Sequence, residues 1–496
     1  NNNKSSLFEE INETKEKLKN IRTELKREYD DNIKHKEKVN NGEINEFYKE
    51  ITRKFKDFIS ELLESVVQKL DDYSIKNEKN FKFAIVGLGS LARNEMTPYS
   101  DFEFAILMQD EEEKIFKEYL KKLCYLLEVK VLNIGETLLA SLSLENMTWH
   151  FDSDTKRGFS LDGKMSHACK TGHGNEDKKN VTINKLKSDT NLAKDEKDQK
   201  IQREEQLTFS FINTVNKTVK LQDWNRNNDI EDLLWTLKRY HVPTILTNVE
   251  FIYGAKELYD DYNEKLKIKL NNDKEYIKER SIYLAKDDLK THSPKISIET
   301  SNAMYNVKKD LYRLPNTMLD FLACYYSIFD EKNNFERINK LQENGIIKDN
   351  KTKEQLQSLI MIALQIRVEV YFENNSQKED FNNIKQHENK IKSLYKLSFK
   401  LVSIIKEFVN TTVDVHQIRI LNKFSESDTI DEDIINIITE AKIEFRLGHL
   451  IESSKLIDKY YCKFKKCSAC TQNGRRRIKT PSVTLEFTKL YTIRIL

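Results

Sequence analysis

Asp101 and Glu103 stand two residues apart in DFEFAIL (Asp101–Leu107), a run that is otherwise apolar. Side chains alternate along an extended strand, so the two carboxylates share one face while Phe102 and Phe104 point to the other. Adjacent carboxylates raise each other's cost of ionisation unless a cation sits between them, which makes the pair a natural clamp for a divalent metal. Upstream, across a ten-residue gap and after the strand-like run FKFAIV (Phe81–Val86), comes the turn Gly89-Ser90. Small residues there let backbone amides and a hydroxyl approach a phosphate closely. An ordinary capped loop feeding a strand would account for the turn, but not for two acids on one face of an apolar segment.

The elements that must hold this loop can be read from spacing. Residues 5 to 79 are polar and helical, with Ile51, Phe55, Phe58, Ile59, Leu62, Val66 and Leu70 recurring at three- and four-residue steps. One face is therefore buried, against the α/β domain that begins at Phe81. Residues 174 to 206 carry no aromatic side chain and a high charge density, as a solvated insertion would. Arg239–Tyr262 reads as a short buried segment followed by a helix. From about residue 300 the pattern is helical, with stripes at Leu356, Leu359, Ile360, Ala363 and Leu364 and in Leu397–Val409, which predicts an all-α bundle. The predicted class is α+β, with a mixed sheet in the central domain. The predicted segments are an N-terminal helical part at 1–79, a central domain at 80–270, a helical domain at 285–460 and a tail at 461–496.

Composition narrows the partners. The 496 residues include 83 basic and 80 acidic side chains, a net charge of +3 that gives no overall footprint for nucleic acid. No apolar run approaches a membrane span, and the start lacks the order of a signal peptide, so a cytoplasmic setting without membrane contact is expected. The chain opens on Asn1 rather than Met, as a fragment would. Of six cysteines, Cys124, Cys169 and Cys324 are isolated, which fits thiols in a reducing compartment. Cys462, Cys467 and Cys470 lack the fourth ligand that a structural zinc site needs. His167 and His173, flanking Cys169, read as packed or solvent-facing histidines for the same reason.

The string GSLARNEMTPYSDFEFAIL (Gly89–Leu107) resembles the nucleotidyltransferase superfamily typified by DNA polymerase beta. More narrowly, it resembles the N-terminal domains of protein-PII uridylyltransferases and their relatives among unassigned nucleotidyltransferases. The close match is about 25 residues long, with looser similarity to about residue 460. The resemblance implies transfer of a nucleoside monophosphate from a nucleoside triphosphate to a hydroxyl on a protein or small molecule. It implies that Gly89 and Ser90 contact the triphosphate and that Asp101 and Glu103 hold two Mg²⁺ ions about 4 Å apart. It also implies a third carboxylate on a neighbouring strand. In RGFSLDGKMSHACKTGHG (Arg157–Gly174), Asp162 at the end of FSLD is the candidate, and Glu136 in NIGET is the runner-up.

Arg93 and Lys164 either touch phosphates or pair with neighbouring acids such as Glu95. Arg313 and Arg367 belong to the helical part, and spacing leaves open whether they face a cleft. Three classes remain: an active transferase, a catalytically retired transferase fold that senses nucleotide or binds protein, and a helical scaffold. No His-Asp dipeptide occurs, so the chain has no conventional phosphohydrolase signature of a bifunctional uridylyltransferase. The charge of the 174–206 segment makes it the expected first site of limited proteolysis, with little stability lost on its deletion. Mass mapping of early fragments checks this, and protection of the segment would show that it packs as structure.

Overall fold

A computed structural model describes residues 2–34, 40–73, 81–109, 113–137, 156–161, 212–220, 242–294, 304–381, 384–411, 414–424 and 430–459. Asp162, Lys164, His167, Cys169, His173, the 174–206 segment, the Cys462–Cys470 cluster and the 461–496 tail lie outside the described residues. The chain divides into two units. One comprises Asn1–Ile277, Phe329–Asn334 and Tyr371–Lys378, and the other Lys278–Ile328, Phe335–Val370 and Glu379–Leu496.

In the first unit, α1 (Asn2–Tyr29) runs into a π-helical turn at Asp30–Lys34, and α2 spans Asn41–Tyr73. Asn40 starts α2 with a reciprocal cap: its Oδ1 accepts from the Gly42 N–H (2.8 Å), while the Glu43 carboxylate accepts from the Asn40 N–H (3.1 Å). Two otherwise orphaned donors are thereby satisfied. All seven residues of the apolar stripe read from spacing are buried on α2. Their partners are those the spacing required. Phe55 and Phe58 meet Phe159 at ring-centroid distances of 6.3 and 5.4 Å, and the Thr52 hydroxyl accepts from the Met96 N–H at 3.3 Å.

The sheet has the order β3-β2-β1-β4, made of β1 (Phe83–Gly87), β2 (Phe104–Met108), β3 (Ile212–Thr214) and β4 (Glu250–Gly254). β1 is antiparallel to β2 and β4, and β2 is parallel to β3, so the sheet is mixed. FAIVG and FAILM are continuous apolar runs because strands covered on both faces need no polar alternation, and β2 is buried along its whole length. The short helices α3 (Gly89–Ala92), α5 (Val215–Lys220) and α6 (Val242–Thr247) and the longer α4 (Glu113–Ile134) and α7 (Lys256–Asn272) complete this part. The buried segment and helix read within Arg239–Tyr262 are β4 and α7. Leu258, Tyr262, Leu266 and Leu270 form the buried stripe of α7 at four-residue steps.

The second unit is helical. Its elements include most of α8 (Lys274–His292), α9 (Arg313–Tyr325), most of α10 (Asn334–Glu343), most of α11 (Asn350–Asn374), α12 (Ile384–Val409), α13 (Asp414–Asn422), α14 (Ile430–Arg446) and a last helix at 450–459. A two-stranded ribbon pairs Tyr305–Asn306 with Asp380–Phe381. The expected stripe at Leu356, Leu359, Ile360, Ala363 and Leu364 is fully buried on α11. Arg367 is buried too, with its guanidinium 5.0 Å from the centre of the Tyr312 ring, while Arg313 is half-buried. The chain is thus mostly helical with a small mixed sheet, an α+β arrangement. Among the described residues no helix is long and apolar enough to cross a membrane. Cys124 and Cys324 are free and buried, and burial pushes both thiols up, as suits inert side chains.

Glu10 ties α1 to its neighbours. Its carboxylate accepts from Lys130 of α4 and from Lys69 and Ser65 of α2, the last at 3.1 Å. Burial pushes the carboxyl up, but the hydrogen bonds from Lys130 and Lys69 outweigh it and bring the pKa from 4.5 down to about 2. A carboxyl whose folded pKa lies below its unfolded one adds stability above the unfolded value and loses it as pH falls through the folded value. Glu10→Gln should therefore be less stable than the unaltered chain at pH 7. The difference should fade between about pH 4.5 and 2, as urea unfolding across that range would read.

Candidate active site

The loop from Leu88 to Glu103 is closed at both ends by its own backbone: the Leu88 N–H donates to the Glu103 carbonyl at 2.8 Å. Within it, Thr97-Pro98-Tyr99-Ser100 folds on itself, since the Ser100 hydroxyl accepts from the Thr97 N–H and lies 2.8 Å from the Thr97 hydroxyl. Arg22 of α1 clamps this turn, donating from Nε to the Pro98 carbonyl (2.7 Å) with its guanidinium over the Tyr99 ring. Glu95 is fully buried. It accepts from Arg93 Nε (3.1 Å) and Asn334 Nδ2 (2.8 Å), while Asn333 donates to the Arg93 carbonyl at 2.9 Å. A buried carboxylate is tolerated only with such partners, so the 329–334 segment is held to this unit through the loop.

The side-chain alternation holds where the acids stand. Phe102 and Phe104 are fully buried and stacked, with centroids 4.8 Å apart, while Asp101 and Glu103 are half-buried on the opposite side. The strand itself begins later than the sequence suggests, at Phe104 rather than Phe102. The reason is a change of partner: the β1 ladder ends at Gly87↔Phe104, and Phe102 instead forms a parallel bridge with Leu161. The Phe102 N–H donates to the Ser160 carbonyl at 2.8 Å.

Donors converge on Asp101. Its Oδ1 accepts from the Ser160 hydroxyl (2.6 Å), and its Oδ2 from Arg157 Nη2 (2.8 Å) and Gln377 Nε2 (3.2 Å). Glu103 lies against Gly89, where φ is +58°. A Cβ at Gly89 would overlap the Glu103 carboxylate, so glycine serves there both for its backbone and for its bareness. Gly89, which opens the single turn of α3 that also carries Ser90, thus meets the acidic face.

Of the two roles weighed for Arg93, the ion pair with Glu95 is present. Glu136 is held by the Arg22 guanidinium, through Nη1 on one oxygen and Nη2 on the other (2.8 Å), and also accepts from the Phe159 N–H at 2.7 Å. Three residues of the face were not singled out from sequence. Ser160 was within reach, because alternation along FSLD puts it in phase with Asp101. Arg157 carried no such signal, and Gln377, 276 positions from Asp101, carried none at all.

Among the described residues no group of three or more His, Cys, Asp or Glu is placed to hold a metal ion. The donor set nevertheless fits a hard divalent cation. Two carboxylates share one face, Gly89 leaves the space beside one of them, and the Oε1 of Gln377, buried beside the other, has no hydrogen-bond partner.

One comparison bears on the class. A family model described as Putative nucleotidyltransferase DUF294 matches residues 36–138. Over that stretch the chain is similar to a nucleotidyltransferase-like family. The stretch contains α2, β1, α3 and β2 with Gly89, Ser90, Arg93, Asp101 and Glu103, so the resemblance read from the Gly89–Leu107 string is met. No curated protein matches the chain.

The geometry at Gly89 yields a direct test. Gly89→Ala should cost about 1–2 kcal/mol for its left-handed backbone, plus the displacement of Glu103. Adding Glu103→Ala should recover only the second part, a coupling that denaturant unfolding of the double-mutant cycle would measure.

Proposed function

We propose that the chain is a metal-dependent nucleotidyltransferase that moves a nucleoside monophosphate from a nucleoside triphosphate to a hydroxyl, with a protein or small molecule as acceptor in a cytoplasmic setting. The observation that carries this reading is the half-buried Asp101–Glu103 face set against the bare Gly89 turn, inside the stretch that matches the family. Two Mg²⁺ ions bound there would neutralise the triphosphate and the leaving pyrophosphate.

The chain's own residues do the rest by positioning. Gly89 and Ser90 would contact the triphosphate beside Glu103. Asp101, oriented by Ser160, would hold the side where the acceptor hydroxyl attacks the α-phosphorus. An oxygen–phosphorus bond would form there as the hydroxyl proton passes to solvent, the bond to the β-phosphate bridge would break, and pyrophosphate would leave. For the third carboxylate we retain Asp162. The parallel bridge Phe102↔Leu161 and the bond from Ser160 to Asp101 support it, because they bring the segment that ends just before Asp162 in sequence beside the acidic face. Glu136 is set aside because Arg22 and the Phe159 N–H engage it. Lys164 and Arg93 remain candidate phosphate contacts, with Arg93 reaching phosphate only by loosening its pair with Glu95.

One observation favours a second reading, a retired fold that binds nucleotide without turnover: the Arg157 guanidinium already neutralises Asp101. Its side chain is 44 % exposed, however, so a divalent ion can displace it into solvent. Incubation with labelled nucleoside triphosphates and Mg²⁺ separates the readings. Asp101→Asn and Glu103→Gln should each abolish labelled product with the fold intact; the unfolding midpoint should be unchanged or slightly raised in Glu103→Gln, where a repulsive pair is relieved, and unchanged or slightly lowered in Asp101→Asn, which also gives up the Arg157 ion pair. Asp162→Ala should suppress turnover far more than nucleotide binding. Near-normal transfer by either Asp101→Asn or Glu103→Gln would remove the pair from the mechanism.

A further inference from the structure

Gln377 reaches the acidic face from Tyr371–Lys378, a segment that belongs to the first unit although helical elements of the second flank it in sequence. The residue is 4 % exposed. Its backbone N–H donates to the Arg157 carbonyl at 2.7 Å, and its Nε2 donates to Asp101 Oδ2 at 3.2 Å. The reversed amide would set an acceptor against a carboxylate oxygen, so Asp101 itself fixes which end of the amide faces it. The other end, Oε1, is buried and has no hydrogen-bond partner among the described residues.

An unsatisfied buried amide oxygen is unfavourable, and a methionine of similar volume would fill the space without that penalty. The Nε2 bond accounts for one end of the glutamine; the other is explained if a group outside the described residues, such as a bound ion with its water, meets Oε1. Beside a carboxylate, a hard amide oxygen suits a divalent cation or the water it carries. Arg157 shares Asp101 Oδ2 with Gln377 but is positively charged, so an arriving cation repels it. Gln377 is neutral and can stay.

We propose that Gln377 is a positioning residue of the transfer site, fixing Asp101 through Nε2 and presenting Oε1 to the hydration shell of the bound cation. The proposal rests on the transferase reading above. It gives Asp101 a neutral partner in the loaded state and Arg157 a charged one in the empty state.

The test uses the 496-residue chain with Mn²⁺ as probe, its binding followed by electron paramagnetic resonance without nucleotide and its KM followed in turnover. Gln377→Met removes both ends of the amide. Gln377→Asn keeps the amide but draws it back from Asp101, and serves should the methionine variant fail to fold. Each should weaken Mn²⁺ binding about tenfold, the scale of an outer partner of a metal ligand. Each should raise the KM for the cation by a similar factor while the KM for nucleotide changes less than about twofold. A purely structural role would lower kcat through the active fraction and leave both constants for Mn²⁺ alone. Unchanged Mn²⁺ affinity and cation KM in the folded variants, beside an unaltered chain that binds and turns over, would overturn the role of Gln377 only. An unaltered chain that neither binds Mn²⁺ nor transfers would overturn the transferase reading, and this inference with it.

Discussion

Two carboxylates held side by side on an apolar ribbon repel each other, and the surroundings of the sheet's acidic edge answer that repulsion. For neighbours on one strand face, at an effective dielectric of about 20, it is on the order of 2–3 kcal/mol. Hydrogen bonds to a charged group contribute about 1.5–3 kcal/mol each. The three donors on Asp101 therefore suffice to offset it without any ion in place. The polypeptide cannot escape the repulsion by turning one acid inward, because Phe102 and Phe104 already fill the other face and are stacked there. Alternation fixes the acids, and the rest of the site is arranged around them.

The arrangement draws on distant parts of the chain because the loop has little structure of its own. Between β1 and β2 it contains one helical turn and one self-closed turn, too little to bury a core. Arg22 from α1, Thr52 from α2, Asn333 and Asn334, and Gln377 each supply one or two hydrogen bonds to it. The bonds from Asn333, Asn334 and Gln377 tie two short segments, 329–334 and 371–378, to the unit that holds the sheet. A loop anchored from many sides holds its carboxylates still, which a reaction governed by positioning requires.

What the sequence made legible was what obeys a period. The α2 stripe is local, repeats at helical spacing and is buried residue for residue. The alternation through Asp101–Phe104 is equally local and places acids and aromatics on opposite sides. The Asn40–Glu43 cap was also within reach, as an N-cap residue followed three residues later by Glu is a known signature. The strand boundary was not. Where β2 begins depends on Phe102 leaving β1 for Leu161, a choice made by a partner far along the chain. Glu95 read as a neighbour for Arg93, but nothing in the sequence shows that it is fully buried. Gln377 lies beyond any pattern, since contacts between remote segments leave no periodic trace.

Two acid–arginine pairs lie near one another in this unit, and their difference separates scaffold from site. Glu136 meets Arg22 through both oxygens and takes a backbone N–H as well, and Arg22 in turn is 11 % exposed and bound to the Pro98 carbonyl. Removing either member would leave a charge stranded in a poorly solvated place, the costly way to break such a pair. Asp101 meets Arg157 through one guanidinium nitrogen, on a side chain that is 44 % exposed and can return to water with little penalty. The first pair holds the Pro98 turn and the Phe159 segment in place whatever is bound. The second can be exchanged, and of the two it is the one on the acidic face.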